Sequence, residues 1–176
     1  MAFDPTAYGP DVAALLALDS GGLRLMPLVA GKCSCGEAAR RIPQLKTANA
    51  GVIAGLWIYF SAFEQAHAAA QDSRTREGSY WHGILHRQEP DDGNARYWFD
   101  RVGAHPIFPA LAEAATAIAT KYRDTGWKPP ARWDPSLFIA CSAQARLAPG
   151  TPLEQLALEI QRAEWQLLFD FCAQSQ

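Results

Sequence analysis

"NAGVIAGLWIYFSAFEQAHAAAQDS", residues 49–73, is the stretch on which the fold turns. Its length and its Ala-rich second half predict a helix of about six turns, at roughly 3.6 residues per turn. Residues 52–60 are apolar all round, so this helix is expected to be buried on every side. Such a helix needs neighbours, and the flanking sequence supplies them. "PDVAALLAL" (10–18) begins on Pro10 and Asp11 and stops before two glycines. Pro27 and Gly31 break 23–36 into irregular structure, and 37–45 has room for a turn or two before Pro43.

Downstream, "SYWHGILHRQE" (79–89) reads as a short helix capped by Ser79 and stopped by Pro90. "NARYWFDRV" (94–102) follows, with Asn94 as cap and Gly103 as stop. "PIFPALAEAATAIATKYRD" (106–124), 135–146 and 152–174 complete the set, the last with Pro152 in its first turn. No segment alternates with a period of two. The expected fold is all-α: one domain over 1–176, a compact array of about seven helices around the buried helix 49–73.

Apolar residues make up 49% of the 176 and charged residues 19%, enough for a real core. A net charge of −2 leaves no basic excess to neutralise phosphates, so nucleic acid is not expected as a partner. The opening "MAFDPTAYGP" does not resemble a signal peptide, and the apolar run 52–63 is too short to span a bilayer. A cytoplasmic location without membrane contact is expected. Cys33 and Cys35 form a Cys-x-Cys in a loop, half of a zinc site at best. Cys141 and Cys172 fall in apolar helical stretches and are expected to act as small hydrophobes.

The chemistry concentrates between residues 64 and 105. His82, His86 and Glu89 stand at i, i+4 and i+7, on one stripe of a helix. Two imidazoles one turn apart can hold a transition metal, and a carboxylate nearby would complete a two-His, one-carboxylate set. Glu64 and His67 continue the helical period of Ile53, Trp57 and Phe60, which points them toward the interior. The short connection between 73 and 79 favours antiparallel packing, which would bring Glu64 and His67 against His82 and His86. The expected metal ligands are His67, His82 and His86, around one divalent transition metal. Glu64 or Glu89 would be the carboxylate ligand or base.

Tyr97, Trp98 and Phe99 cannot all face one side of a helix. With Trp81, Arg87 and Asn94, Tyr97 and Trp98 form the candidate ligand-binding wall. His105 either closes the pocket or caps the next helix. No glycine-rich phosphate loop, Gly-x-Ser-x-Gly elbow or His-Glu-x-x-His motif is present.

The stretches "GSYWHGILHR", "EPD", "NARYWF" and "RVGAHP", with "YFSAFEQAH" before them, resemble the signature of a family of bacterial and fungal proteins of unknown activity. The resemblance covers about a third of the chain. It implies a shared fold and pocket, and no particular reaction. The family's pattern has Arg where this chain has Gln88.

Two functional readings stay open. In one the protein is a mononuclear metal-dependent enzyme acting on a small molecule. In the other it is a metal-free ligand-binding or interaction module whose histidines are structural.

Overall fold

The computed structural model describes residues 3–46 and 49–174. Within them, nine α-helices run in order: α1 (Pro10–Leu16), α2 (Gly36–Arg41), α3 (Ala50–Tyr59), α4 (Phe63–Asp72), α5 (Arg76–Gln88), α6 (Asp92–Val102), α7 (Phe108–Ala119), α8 (Pro135–Arg146) and α9 (Pro152–Gln174). Short 3₁₀ turns join several of them, and no strand occurs among the described residues. The all-α expectation holds.

The buried segment at the centre is where it was expected, but it is not one helix. Asn49 caps α3 by accepting from the Gly51 and Val52 amides, at 2.9 and 3.3 Å. Eight of its ten residues are buried, from Gly51 to Tyr59. The helix then stops at Phe60, and Ser61 takes a left-handed φ of 56°. The carbonyls freed by the break are not left bare. Ser34 donates its amide to the Phe60 carbonyl at 2.8 Å, and the Arg24 guanidinium reaches the Tyr59 carbonyl and the Ser61 hydroxyl. These partners come from residues 24–34, far away in sequence, so no local signal marked the break.

The break resets the helical phase. The face that α3 buries does not continue into α4, whose buried side consists of Ala66 and Ala70. A three-residue turn, Ser73–Thr75, then reverses the chain. Thr75, not Ser79, caps α5, accepting from the Gly78 amide at 3.1 Å. Likewise Asp91, not Asn94, caps α6, at 3.0 Å from the Asn94 amide.

The core has two parts. One gathers α3, α5 and the C-terminal half of α9; the other gathers α7, α8 and the N-terminal half of α9. The 23-residue α9 is therefore the spine, placing Ile160 in one part and Trp165 and Phe169 in the other. Helix α5 is buried from Gly78 to Gln88. Each stripe of it meets a different neighbour, and this fixes which of its side chains can form a site.

Glycines set the closest approaches. At Gly55, the Trp165 indole N–H donates to the carbonyl at 2.8 Å, and a Cβ would stand 2.7 Å from Phe169. At Gly83 a Cβ would meet three carbons of the Phe99 ring at 2.8, 2.8 and 3.0 Å. Replacing Gly by Ala in a helix ordinarily gains about 0.5–1 kcal/mol, but overpacking against a rigid ring costs about 1–3 kcal/mol. Gly83→Ala is therefore expected to lower the urea midpoint; a raised midpoint would show that α5 and α6 can part freely.

Candidate functional site

His67 on α4 faces His82 and His86 on α5. The ring centroids of His67 lie 4.8 Å from His82 and 5.2 Å from His86, and those of His82 and His86 are 6.0 Å apart. The fold-back expected from the short connection thus brings imidazoles from two helices together. His67 Nε2 and His86 Nε2 are 3.5 Å apart. On its other side the His86 Nδ1–H donates to Glu89 Oε2 at 2.8 Å, which directs the Nε2 lone pair toward His67. The Asn94 amide nitrogen stands 3.3 Å from both nitrogens of the His86 ring.

Among the described residues, the side chains whose ligand atoms converge are His67, His86 and Glu89, all within 4.8 Å of one another. His86 is buried, His67 half-buried and Glu89 exposed, so the group opens to solvent on the Glu89 side. His82 stands beside this set. Its ring stacks on the Trp98 indole at 4.1 Å and 13°, and its Nδ1 is buried. Burial, and then the neighbouring His67 and His86, push its pKa down to about 4, against a backbone contact from Gly78 that acts the other way. It is a neutral imidazole at neutral pH.

The other expected site residues lie elsewhere. Glu64 was expected to point inward; it is exposed, because the break at 60–62 rotates α4 away from the phase of α3. Trp81 is fully buried in the core against Gly55 of α3, on a different stripe of α5 from the histidines. Arg87, only 1% exposed, points into the bundle. Neither lines a wall with Trp98. Tyr97 is 54% exposed, Trp98 half-buried and Phe99 buried, so the three aromatics in a row do split between surface and core. His105 is buried against Tyr80 and Phe108, and its Nδ1 accepts from the Ile107 amide at 3.4 Å, in the turn that precedes α7.

A second polar group went unforeseen. Arg87 donates to Glu164 Oε2 at 2.5 Å, and the Tyr80 hydroxyl donates to Glu164 Oε1 at 3.2 Å. The Arg87 guanidinium also covers the Phe138 ring at 4.5 Å. The signal was there: Glu164 interrupts the apolar stripe Ile160, Trp165, Leu168 of α9, where an unpaired carboxylate would be costly. Arg146 ties the same corner, donating to the Arg87 carbonyl at 2.8 Å and pairing with Asp92 at 3.2 Å.

The cysteines form no cluster with other ligands among the described residues. Cys33 is exposed, and Cys35 Sγ accepts from the Ala38 amide at 3.5 Å as the cap of α2. Burial pushes the Cys141 and Cys172 thiols up to about 12, so both stay protonated.

Two buried histidines give the protein a pH dependence of definite sign. Burial holds His82 and His105 below the ordinary imidazole value, for His105 against the nearby Glu77 carboxylate. The unfolded chain takes up protons near pH 6.5 that the folded chain refuses. Their contribution is intact above pH 6.5 and is lost progressively as pH falls below it, for His82 down to about 4. The urea midpoint of metal-free protein is expected to drop between pH 7 and 5, and to drop less in His105→Gln; a midpoint that rises on acidification would contradict this.

Compared with protein-family models, curated proteins and solved structures, the chain matches none. No helix among the described residues is long and apolar enough to cross a membrane. The class that fold and site define is a single helical domain carrying a solvent-facing His/Glu cluster at the junction of α4, α5 and α6.

Proposed function

We propose that the protein is a mononuclear metal-dependent enzyme acting on a small molecule. His67 Nε2 and His86 Nε2 bind one divalent transition metal. Glu89 fixes the His86 tautomer by accepting from Nδ1, on the side of the ring away from the two Nε2 atoms. His82 lines the centre as a neutral wall, stacked on Trp98. With few protein ligands, several coordination positions remain for water or substrate, which the metal polarises as a Lewis acid.

One observation carries this reading: the 3.5 Å separation of the two Nε2 atoms. That is long for an N–H···N hydrogen bond, whose donor–acceptor distance is about 3 Å. It is close to the separation of two imidazole nitrogens on one tetrahedral metal, about 3.4 Å for bonds of about 2.05 Å. The two nitrogens come from different helices, so neither helix alone sets the spacing.

Elemental analysis of protein purified without a nickel column tests the proposal. A transition metal near one per chain, lost in His67→Ala, is the expected result. Metal-free protein that also fails to take up Zn²⁺, Fe²⁺ or Mn²⁺ would overturn it. The metal-free module is favoured by a different observation, the His82–Trp98 stack, which holds a histidine without any metal. It predicts that these ions leave the melting temperature unchanged.

A further inference from the structure

We propose that Cys33 and Cys35 are a reversible oxidation site: a small soluble disulfide converts the pair to an internal disulfide, and closing that bond loosens the break between α3 and α4. The device acts without any metal, though the helix it loosens is the one that carries His67.

The pair lies in the loop that leads into α2. Cys33 is exposed and Cys35 half-buried, whereas Cys141 and Cys172 are buried, so an oxidant in solution meets this pair first. The two sulfurs are already drawn together. The Cys33 thiol donates to the Cys35 carbonyl at 3.3 Å, and Cys35 Sγ accepts from the Ala38 amide at 3.5 Å. Cα atoms two residues apart are separated by at most about 7 Å, and the chain bends at Ser34, which shortens that. A disulfide spans about 4.4–6.8 Å between Cα atoms. A ring this small holds its disulfide under strain, which makes the bond easy to reduce again.

Ser34, enclosed by the ring, connects it to the fold. Its amide donates to the Phe60 carbonyl at 2.8 Å, and its hydroxyl donates to the same oxygen at 3.2 Å. That carbonyl belongs to the residue where α3 stops. Nearer the start of the loop, the Ala30 amide donates to the Gln88 carbonyl at 2.7 Å, at the end of α5. The loop is thus pinned to the ends of α3 and α5. Closing the ring must turn the peptide units on both sides of Ser34, and the pin at Ala30 keeps the rest of the loop from following. The Phe60 carbonyl then loses its donors. Helix α4, whose fully buried residues are alanines, has little else to hold its start.

The chemistry is thiol–disulfide exchange with oxidised glutathione. The Cys33 thiolate attacks one sulfur of the oxidant, forming a mixed disulfide and releasing one glutathione. The Cys35 thiolate then attacks the Cys33 sulfur, forming the internal bond and releasing the second. The pair gives up two electrons to the oxidant, and its two thiol protons end on the two released glutathiones.

Reduced, metal-free protein treated with oxidised glutathione tests this, by peptide mapping without reductant and by hydrogen exchange. The expected product is a Cys33–Cys35 bond with Cys141 and Cys172 still free. Exchange at Ser34 and through α4 should quicken by up to about tenfold, the scale of one lost backbone hydrogen bond, and dithiothreitol should restore it. Cys33→Ser and Cys35→Ser should each keep the slow exchange of the reduced wild type after the same treatment; serine at 35 still caps α2. Mixed disulfides or linked dimers as the final product in the wild type would overturn the proposal. So would an internal bond that leaves α4 exchange unchanged, or equal quickening in the single variants.

Discussion

Arg87→Ala is expected to destabilise the fold by about 3–5 kcal/mol, because it leaves the Glu164 carboxylate buried without its counter-charge. Glu164 is wholly buried and Arg87 is 1% exposed, so water cannot replace the lost partner. At about 2–4 °C per kcal/mol for a chain of this size, the melting temperature should fall by roughly 10 °C. Glu164→Ala should do similar damage, since it strands a buried guanidinium. The double variant Arg87→Met, Glu164→Leu should recover much of the loss, because apolar side chains of similar volume often replace a buried pair without penalty. Calorimetric melting of the three proteins checks this. A loss under about 1 kcal/mol in either single variant would mean that the pair is not enclosed between α5 and α9 as described.

The second large effect follows from how loosely α4 is held. Its fully buried residues are alanines, and Phe63 and His67 are only half-buried. A helix anchored by so little apolar area opens locally at low cost. A metal shared by His67 on α4 and His86 on α5 would staple it. With free Zn²⁺ at about 100 times its dissociation constant, the folded state should gain about 2.7 kcal/mol. The melting point should then rise by about 5–10 °C. Hydrogen exchange should slow most in α4. An unchanged melting point, or protection spread evenly over the chain, would tell against the staple.

Much of this architecture was legible in the sequence, and the failures have physical causes. Helices α8 and α9 begin and end where proline and composition place them, since local signals decide their ends. The stripe His82, His86, Glu89 was readable from helical spacing alone, and a short connection implied that His67 would meet it. The break at Phe60–Ala62 was not readable, because Arg24 and Ser34 stabilise it from a distant loop. That one error carried Glu64 to the wrong side, because the break turns α4 out of the phase of α3. Trp81 and Arg87 were misplaced for another reason. Helix α5 is buried on all sides, so its pattern gives no clue to which stripe meets the core and which meets α6.

Cobalt(II) titration of the metal-free protein, followed by visible absorbance, tests the central claim most directly. The expected result is a d–d band that saturates at about one equivalent without thiolate charge transfer, vanishes in His67→Ala and in His86→Ala, and persists in Glu64→Ala. A band that survives His67→Ala, or the absence of any band in the wild type, would contradict a centre shared between α4 and α5.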